Sequence, residues 1–260
     1  MTQSLHPAAQ KGFSSAAELY QQVRPSYPQN IPLWLQDRLK VTSQAQALDL
    51  ASGTGKFLPY LQQLTQNIIA VEPVTEMLAQ LKQTYPHIKT VQSFSHDIPI
   101  ESNSIDIVTC AQAFHWFANI ETLTEVHRIL KKDGFFVLIW NQRDIRVDWV
   151  KALAEYLIPL EGDTPRFHSD LWKNVFKKQN LFKPFEEITF TQIQHGTVEQ
   201  VVSNRLLSTS FIAAMPKAEQ QKLKVDFEKI VEDYTRKSAQ DEIDFPYTTY
   251  VYIFQKISSE

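Results

Sequence analysis

The feature that most constrains this chain is an alternation. Five short apolar runs, AQALDLA, NIIAVEP, IKTVQSF, SIDIVTCAQAF and FFVLIWN, are separated by longer stretches of helical periodicity. Each run is too short for a buried helix, and apolar strands without polar alternation are those covered on both faces. The intervening segments GKFLPYLQQLTQ, VTEMLAQLKQTYP and IETLTEVHRILKKDG place apolar residues at helical spacing. Pro59 is tolerable only near a first turn, Pro86 closes the second segment, and Gly134 is expected to stop the third. Strands alternating with helices predict a parallel sheet with helices on both sides.

Upstream, LWLQDRL begins a helix with Pro32 in its first turn. Past Asn141 the rhythm changes. VDWVKALAEYLIPLEGD and SDLWKNVFKKQNLF are expected to be helices rich in aromatic residues, and PFEEITFTQIQH a strand. TVEQVVSNRLLSTSFIAAM is expected to be one helix opened by a capping box of Thr197 and Gln200. A further amphipathic helix starts at Pro216, and FPYTTYVYIFQKI closes the chain as a strand. The expected architecture is α/β: a Rossmann-like, doubly wound, seven-stranded sheet with six parallel strands. The antiparallel last strand, TTYVYIF, inserts beside the fifth. A helical N-terminal cap and a helical insertion after strand five complete it. With no repeat or flexible linker, residues 1–260 are expected to form a single domain, with a cofactor-binding core at 12–142 and a variable, substrate-side region at 143–215.

Two of the chain's six glycines, Gly53 and Gly55, stand two residues apart in QALDLASGTGKF, just after Asp49. A glycine turn between strand and helix lets a ligand approach the backbone. A dinucleotide would place its pyrophosphate there, but Leu58 occupies the third glycine position of that fingerprint. Asp49 would also repel the phosphates by several kcal/mol at an effective dielectric near ~20. A ligand carrying a sulfonium and an ammonium reverses the sign.

LDLASGTG resembles the first motif of class I methyltransferases that use S-adenosylmethionine (SAM), with Ala51 in place of the first glycine. VEPVTEML resembles their second motif, and Glu72 lies 23 positions past Asp49, near the spacing of about 20 for an acid that reaches ribose hydroxyls. The SHDIPIESNSIDIVTCAQAFHWF and EVHRILKKDGFFVLIW segments extend the resemblance. It is nearest in kind to small-molecule enzymes of the trans-aconitate and biotin-pathway type, whose cap resembles YQQVRPSYP. The resemblance implies SAM as cofactor, bound by Asp49, Ala51, Ser52, Gly53, Gly55, Glu72, Pro73, Met77, Ser95, His96 and Ala111. Where relatives carry Asp-Ala-Glu after strand three, this chain has Phe94-Ser95-His96, so adenine would be held by stacking and backbone. Met77 serves equally as core packing.

In the FHWF segment, His115 is the candidate general base or substrate contact, with a packed structural histidine as the alternative. Tyr20, Arg24, Tyr27, Trp116 and Arg143 are the candidate substrate-binding residues, with Phe13 as a further aromatic wall and Arg146 a further anion partner. Aromatic faces attract cations and arginine holds carboxylates in a bidentate grip. For each of these, packing or surface pairing is the competing role.

A net charge of −3 and an isoelectric point of about 6.2 give no broad basic face for nucleic acid. The chain also lacks the [Asn/Asp/Ser]-Pro-Pro-[Tyr/Phe] signature of enzymes that methylate bases. One cysteine, Cys110, precludes an intrachain disulfide and suits a reducing cytoplasm. No histidine pattern suggests a metal, and no 18-residue apolar stretch suggests a membrane span. MTQSLHPAAQKGF has no apolar core of signal-peptide length. The expectation is a cytoplasmic monomer or homodimer that methylates a small molecule, a carboxylate being the leading acceptor. A non-catalytic SAM-binding module and an NAD-dependent oxidoreductase are the alternatives.

Overall fold

Residues Ala47–Leu50 form strand β1, and all four are buried. β1 pairs in parallel with β2 (Ile68–Val71) on one side, starting at Ala47 opposite Ile68. On its other side lies β4 (Ile105–Ala111), starting at Ala47 opposite Ile107. β3 (Lys89–Val91) extends the sheet beyond β2, and β5 (Leu130–Arg143) pairs with β4. With β6 (Phe182–Thr197) and β7 (Glu242–Lys256), the strand order is β3-β2-β1-β4-β5-β7-β6. The sheet is mostly parallel and ends antiparallel, and β7, which contains Tyr250–Phe254, lies beside β5 as expected. Winding reverses between β1 and β4, so the carboxyl ends of those strands border the crevice where open α/β sheets take ligands.

This computed structural model describes residues 22–258. The chain divides into two compact units. In its described part, the larger comprises residues 27–140, 165–190 and 249–258, and the smaller 22–26, 141–164 and 191–248.

In the larger unit, strand alternation feeds two cores. Ala47, Ile107, Val137 and Ile139 face α1 (Ile31–Leu39) and α2 (Leu58–Leu61). Leu48, Val108, Cys110, Phe136 and Leu138 face α4 (Ile120–Ile129) through Leu123 and Val126. α3 (Thr75–Thr84) packs through Leu81. Two expectations fail here for identifiable reasons. The helix expected over residues 55–66 contracts to the single α turn of α2, with Pro59 at its start. α4 ends at Ile129, short of Gly134, because Leu130 takes a buried place in β5 opposite Ile105, and sheet pairing overrides the helical periodicity. Leu171–Phe176 is a 3-10 helix rather than the expected α-helix. Its aromatic residues are held in the core: Trp172 packs 4.6 Å from Trp140 and Phe176 stacks 3.9 Å from Phe254, ring to ring.

In the smaller unit, α5 (Asp148–Glu161) and α8 (Lys217–Thr235) contribute Leu153, Leu157, Phe227 and Val231 to a third core with Phe245 and Tyr247. Thr197 and Gln200 do form the capping box, over a π-helical segment at Val198–Ser203. The helix expected over residues 197–215 is broken into α6 (Asn204–Leu207) and α7 (Ser210–Ala213). The break falls where the Ser208 hydroxyl donates to the Arg205 carbonyl at 2.7 Å and Thr209 becomes extended.

Candidate active site

At the carboxyl end of β1 the chain enters a tight turn. Ala51, Gly53 and Gly55 have φ of 55°, 58° and 86°, all in the left-handed region. Ala51 therefore bears a Cβ in a conformation costing L-residues about 1–2 kcal/mol. Gly53 and Gly55 are glycines for different reasons. A Cβ on Gly53 would lie 3.6 Å from Met77 Sδ, an ordinary contact, so conformation rather than space demands glycine. A Cβ on Gly55 would come within 2.8 Å of the Tyr85 ring.

Two buried carboxylates flank the turn. Glu72, at the end of β2, accepts the Gly53 backbone N–H at 2.8 Å with Oε2 and the Val74 N–H at 2.9 Å with Oε1. Burial pushes its pKa up to about 7, against the opposing pull of those two bonds. Asp49 accepts the Thr109 hydroxyl at 2.8 Å with Oδ1, whereas its buried Oδ2 has no partner. Burial dominates here too: it lifts Asp49 to about 7, opposed by the bond from Thr109 and the neighbouring Ser52 hydroxyl, which donates to the Asp49 backbone carbonyl, and assisted by the charge of Glu72. Among the described residues no cation pairs with either acid. A turn exposing backbone, an orphaned carboxylate oxygen and a second acid make a cradle for a cationic ligand with hydroxyls, and these residues fit SAM.

Asp49, Ala51, Ser52, Gly53, Gly55, Glu72 and Met77 are thus brought together by the turn, by Glu72 and by α3. Pro73 follows directly, and its carbonyl accepts from Gln92 Nε2 at 3.3 Å. Ala111 closes β4, followed by Gln112 at φ 62°. Ser95 is buried and its hydroxyl is shared with Thr122 at 2.7 Å, so it fastens the loop after β3 to α4 instead of presenting itself to a ligand. His96 and the exposed Phe94 stack 5.7 Å apart, which leaves an aromatic face near that loop.

The candidates for substrate handling fare less evenly. His115 is not arranged as a general base. The Trp140 indole N–H donates to its Nδ1 at 3.1 Å, which fixes the neutral tautomer with the proton on Nε2. Burial, then the charges of Arg166 and His168, push its pKa down to about 3. It therefore offers an N–H donor, with its lone pair already used. Trp116 packs 5.3 Å from the His115 ring. Tyr27 is a core residue rather than a pocket wall. Its ring meets Phe57 and Tyr60 edge-on at 5.1 and 5.5 Å, and the Tyr60 hydroxyl bridges its backbone N–H and carbonyl. Arg146 is exposed and pairs with Asp144 at 2.6 Å, which answers for its charge at the surface. Arg24 and Arg143 belong to the smaller unit, where Arg24 donates to the Ser208 carbonyl at 2.8 Å. Tyr20 and Phe13 lie outside the described residues.

Sequence reasoning missed Thr109, whose only signal was a polar residue inside the apolar run of β4. It also missed Arg205, buried at 8% exposure, for which the helical pattern of its segment held no signal. Among the described residues there is no cluster of three potential metal ligands, and no helix is long and apolar enough to cross a membrane.

The family described as a methyltransferase domain matches residues 48–138, which includes the turn and both acids. An uncharacterized methyltransferase-like protein of Schizosaccharomyces pombe is 33% identical over 95% of this chain and 96% of its own length. A Saccharomyces cerevisiae protein named as an S-adenosylmethionine-dependent methyltransferase is 31% identical over 56% of this chain and 52% of its own. Among solved structures, a protein from Anaeromyxobacter dehalogenans assigned as a type II methyltransferase superposes with a TM-score of 0.66. It is 19% identical and covers 89% of this chain and 97% of its own, a likeness of fold.

Proposed function

We infer the reaction from the family: the chain belongs to the class I SAM-dependent methyltransferases, and its cofactor is SAM. Beyond that, we propose that it methylates a small organic acceptor and that a carboxylate is the acceptor class. The observation that carries the cofactor site is the orphaned, buried Oδ2 of Asp49 beside a second buried acid without a cation. A site left this way is neutralised by a cationic ligand.

When bound, SAM supplies a methyl group activated by a positive sulfur. The chain's own residues do the rest. Asp49, held in place by Thr109, would accept from the ammonium. Glu72 fixes the turn through Gly53 and keeps lone pairs for hydroxyls. The left-handed backbone at Ala51, Gly53 and Gly55 removes side chains from the approach. Phe94 and His96 would offer their aromatic faces to the base. A carboxylate acceptor is already a nucleophile at neutral pH, which agrees with a His115 that has no free lone pair. Trp116 walls the acceptor and His115 donates its Nε2–H to it. The buried single thiol Cys110 accords with a cytoplasmic setting.

Formation of S-adenosylhomocysteine from SAM is the test, measured with matched panels of small carboxylic acids and of alcohols and amines of the same skeletons. Turnover confined to the acids is expected. Turnover confined to alcohols or amines would replace the carboxylate with a neutral acceptor.

A further inference from the structure

The smaller unit buries a charge that its described residues do not answer. Arg205, in α6, is 8% exposed, and its buried Nε and Nη1 have no hydrogen-bond partner. Among the described residues it makes no ion pair. Several acids of the unit are engaged elsewhere: Glu199 and Glu228 on Lys224, Asp226 on the Tyr156 hydroxyl, Asp144 on Arg146 and Asp244 on His195. A guanidinium cannot escape by losing its proton. Burying it unpaired opposes folding, and no charged partner stands against it among the described residues.

The surroundings are built from polar groups. Tyr247 is fully buried and its hydroxyl reaches Gln194 Oε1 at 3.4 Å, while Gln194 Nε2 is anchored on the Val23 carbonyl at 2.9 Å. Thr209, directly after the break between α6 and α7, has a buried hydroxyl without a partner. Burial holds the Tyr247 phenol protonated, against the opposing charges of Arg205, Arg143 and Arg24 and a side-chain hydrogen bond with Arg205, so Tyr247 supplies a neutral hydroxyl to the guanidinium and no anion.

We propose that the smaller unit carries an anion-binding site centred on Arg205, with the hydroxyls of Thr209 and Tyr247, and that its ligand is a small carboxylate. One unanswered guanidinium charge is matched by a monoanionic group. A phosphate dianion would bring a second charge into a buried place. Insofar as the carboxylate is the acceptor's own, the inference rests on the function proposed above. The anion site itself does not, so its test omits SAM.

The probe is sodium acetate, a monoanionic carboxylate, followed by thermal unfolding of the whole chain, with sodium chloride of equal ionic strength and sodium phosphate as comparisons. Acetate is expected to raise the melting temperature saturably beyond chloride in the wild type. Arg205→Met should abolish that response, keep wild-type SAM affinity, and melt no lower than wild type without ligand, because an unanswered charge is gone. A structural arginine would instead lower the melting temperature when removed. Should the Met variant not fold, Arg205→Lys and Thr209→Val serve, and each should weaken the acetate response about tenfold. The proposal is overturned by a wild type that responds no more to acetate than to chloride, by a response to phosphate alone, or by folded variants that respond like wild type. Absence of methyl transfer to any carboxylic acid, with the acetate response intact, would overturn the function proposed above and leave this site standing.

Discussion

The carboxylate of Glu72 accepts the backbone N–H of Gly53 at 2.8 Å, so the acid that ends one strand holds the glycine turn that follows the adjacent strand. The side chain and the turn are 19 residues apart in sequence and form one object in space. The expectation is that Glu72→Gln weakens SAM binding roughly 10- to 100-fold while lowering stability by only about 1–3 kcal/mol. The amide can turn only one acceptor oxygen toward two backbone N–H donors, leaving one unpaired. Calorimetric titration with SAM, alongside urea unfolding, checks both values. Wild-type affinity would show that the turn stays shaped without the acid.

Ala51 sits at φ 55°. Replacing it by glycine removes about 1–2 kcal/mol of left-handed strain and adds about 0.5–1 kcal/mol of unfolded-state entropy. Ala51→Gly should therefore be more stable by roughly 0.5–1 kcal/mol in urea unfolding. A less stable variant would mean that the alanine methyl contributes packing that outweighs its strain.

Asp49 and Glu72 titrate near neutrality in the ligand-free protein, each raised to about 7 from 3.8 and 4.5. A folded-state pKa above the unfolded one means that the native state holds the extra proton between the two values. Stability from these groups is full below about pH 4 and is lost as pH rises through about 7. SAM affinity should run the other way, increasing from pH 6 to 8 as Asp49 becomes the anion that an ammonium requires. Asp49→Asn should flatten both profiles, the first read by chemical unfolding and the second by calorimetry. Profiles of unchanged slope in that variant would place the titration elsewhere.

His115 accepts from the Trp140 indole at 3.1 Å. The pH profile of kcat should therefore show no ionisation near 6.5 that disappears in His115→Gln. His115→Phe leaves the Trp140 N–H unpaired and should lower stability by about 1–3 kcal/mol, measured by urea unfolding. An acid limb near 6.5 that vanishes with His115 would restore it as a base.

The local pattern carried the sheet: short apolar runs, helical spacing, the Asp49–Gly53–Gly55 set and the distance to Glu72 were all readable, because strand burial and turn conformation leave their mark on neighbouring residues. The Thr197–Gln200 capping box was readable for the same reason. What depended on distant partners was not. Leu130 left its helix for a place opposite Ile105, and Tyr27 went into the core against Phe57, because burial area is decided by what lies across the fold. The tautomer of His115 was set by Trp140, 25 residues away, and the orientation of Asp49 by Thr109, 60 residues away. Sequence proposed which residues could bear chemistry. Only the tertiary structure decided which kept a lone pair or a charge unanswered, since hydrogen-bond partners and desolvation are properties of the assembled surroundings and not of the residue.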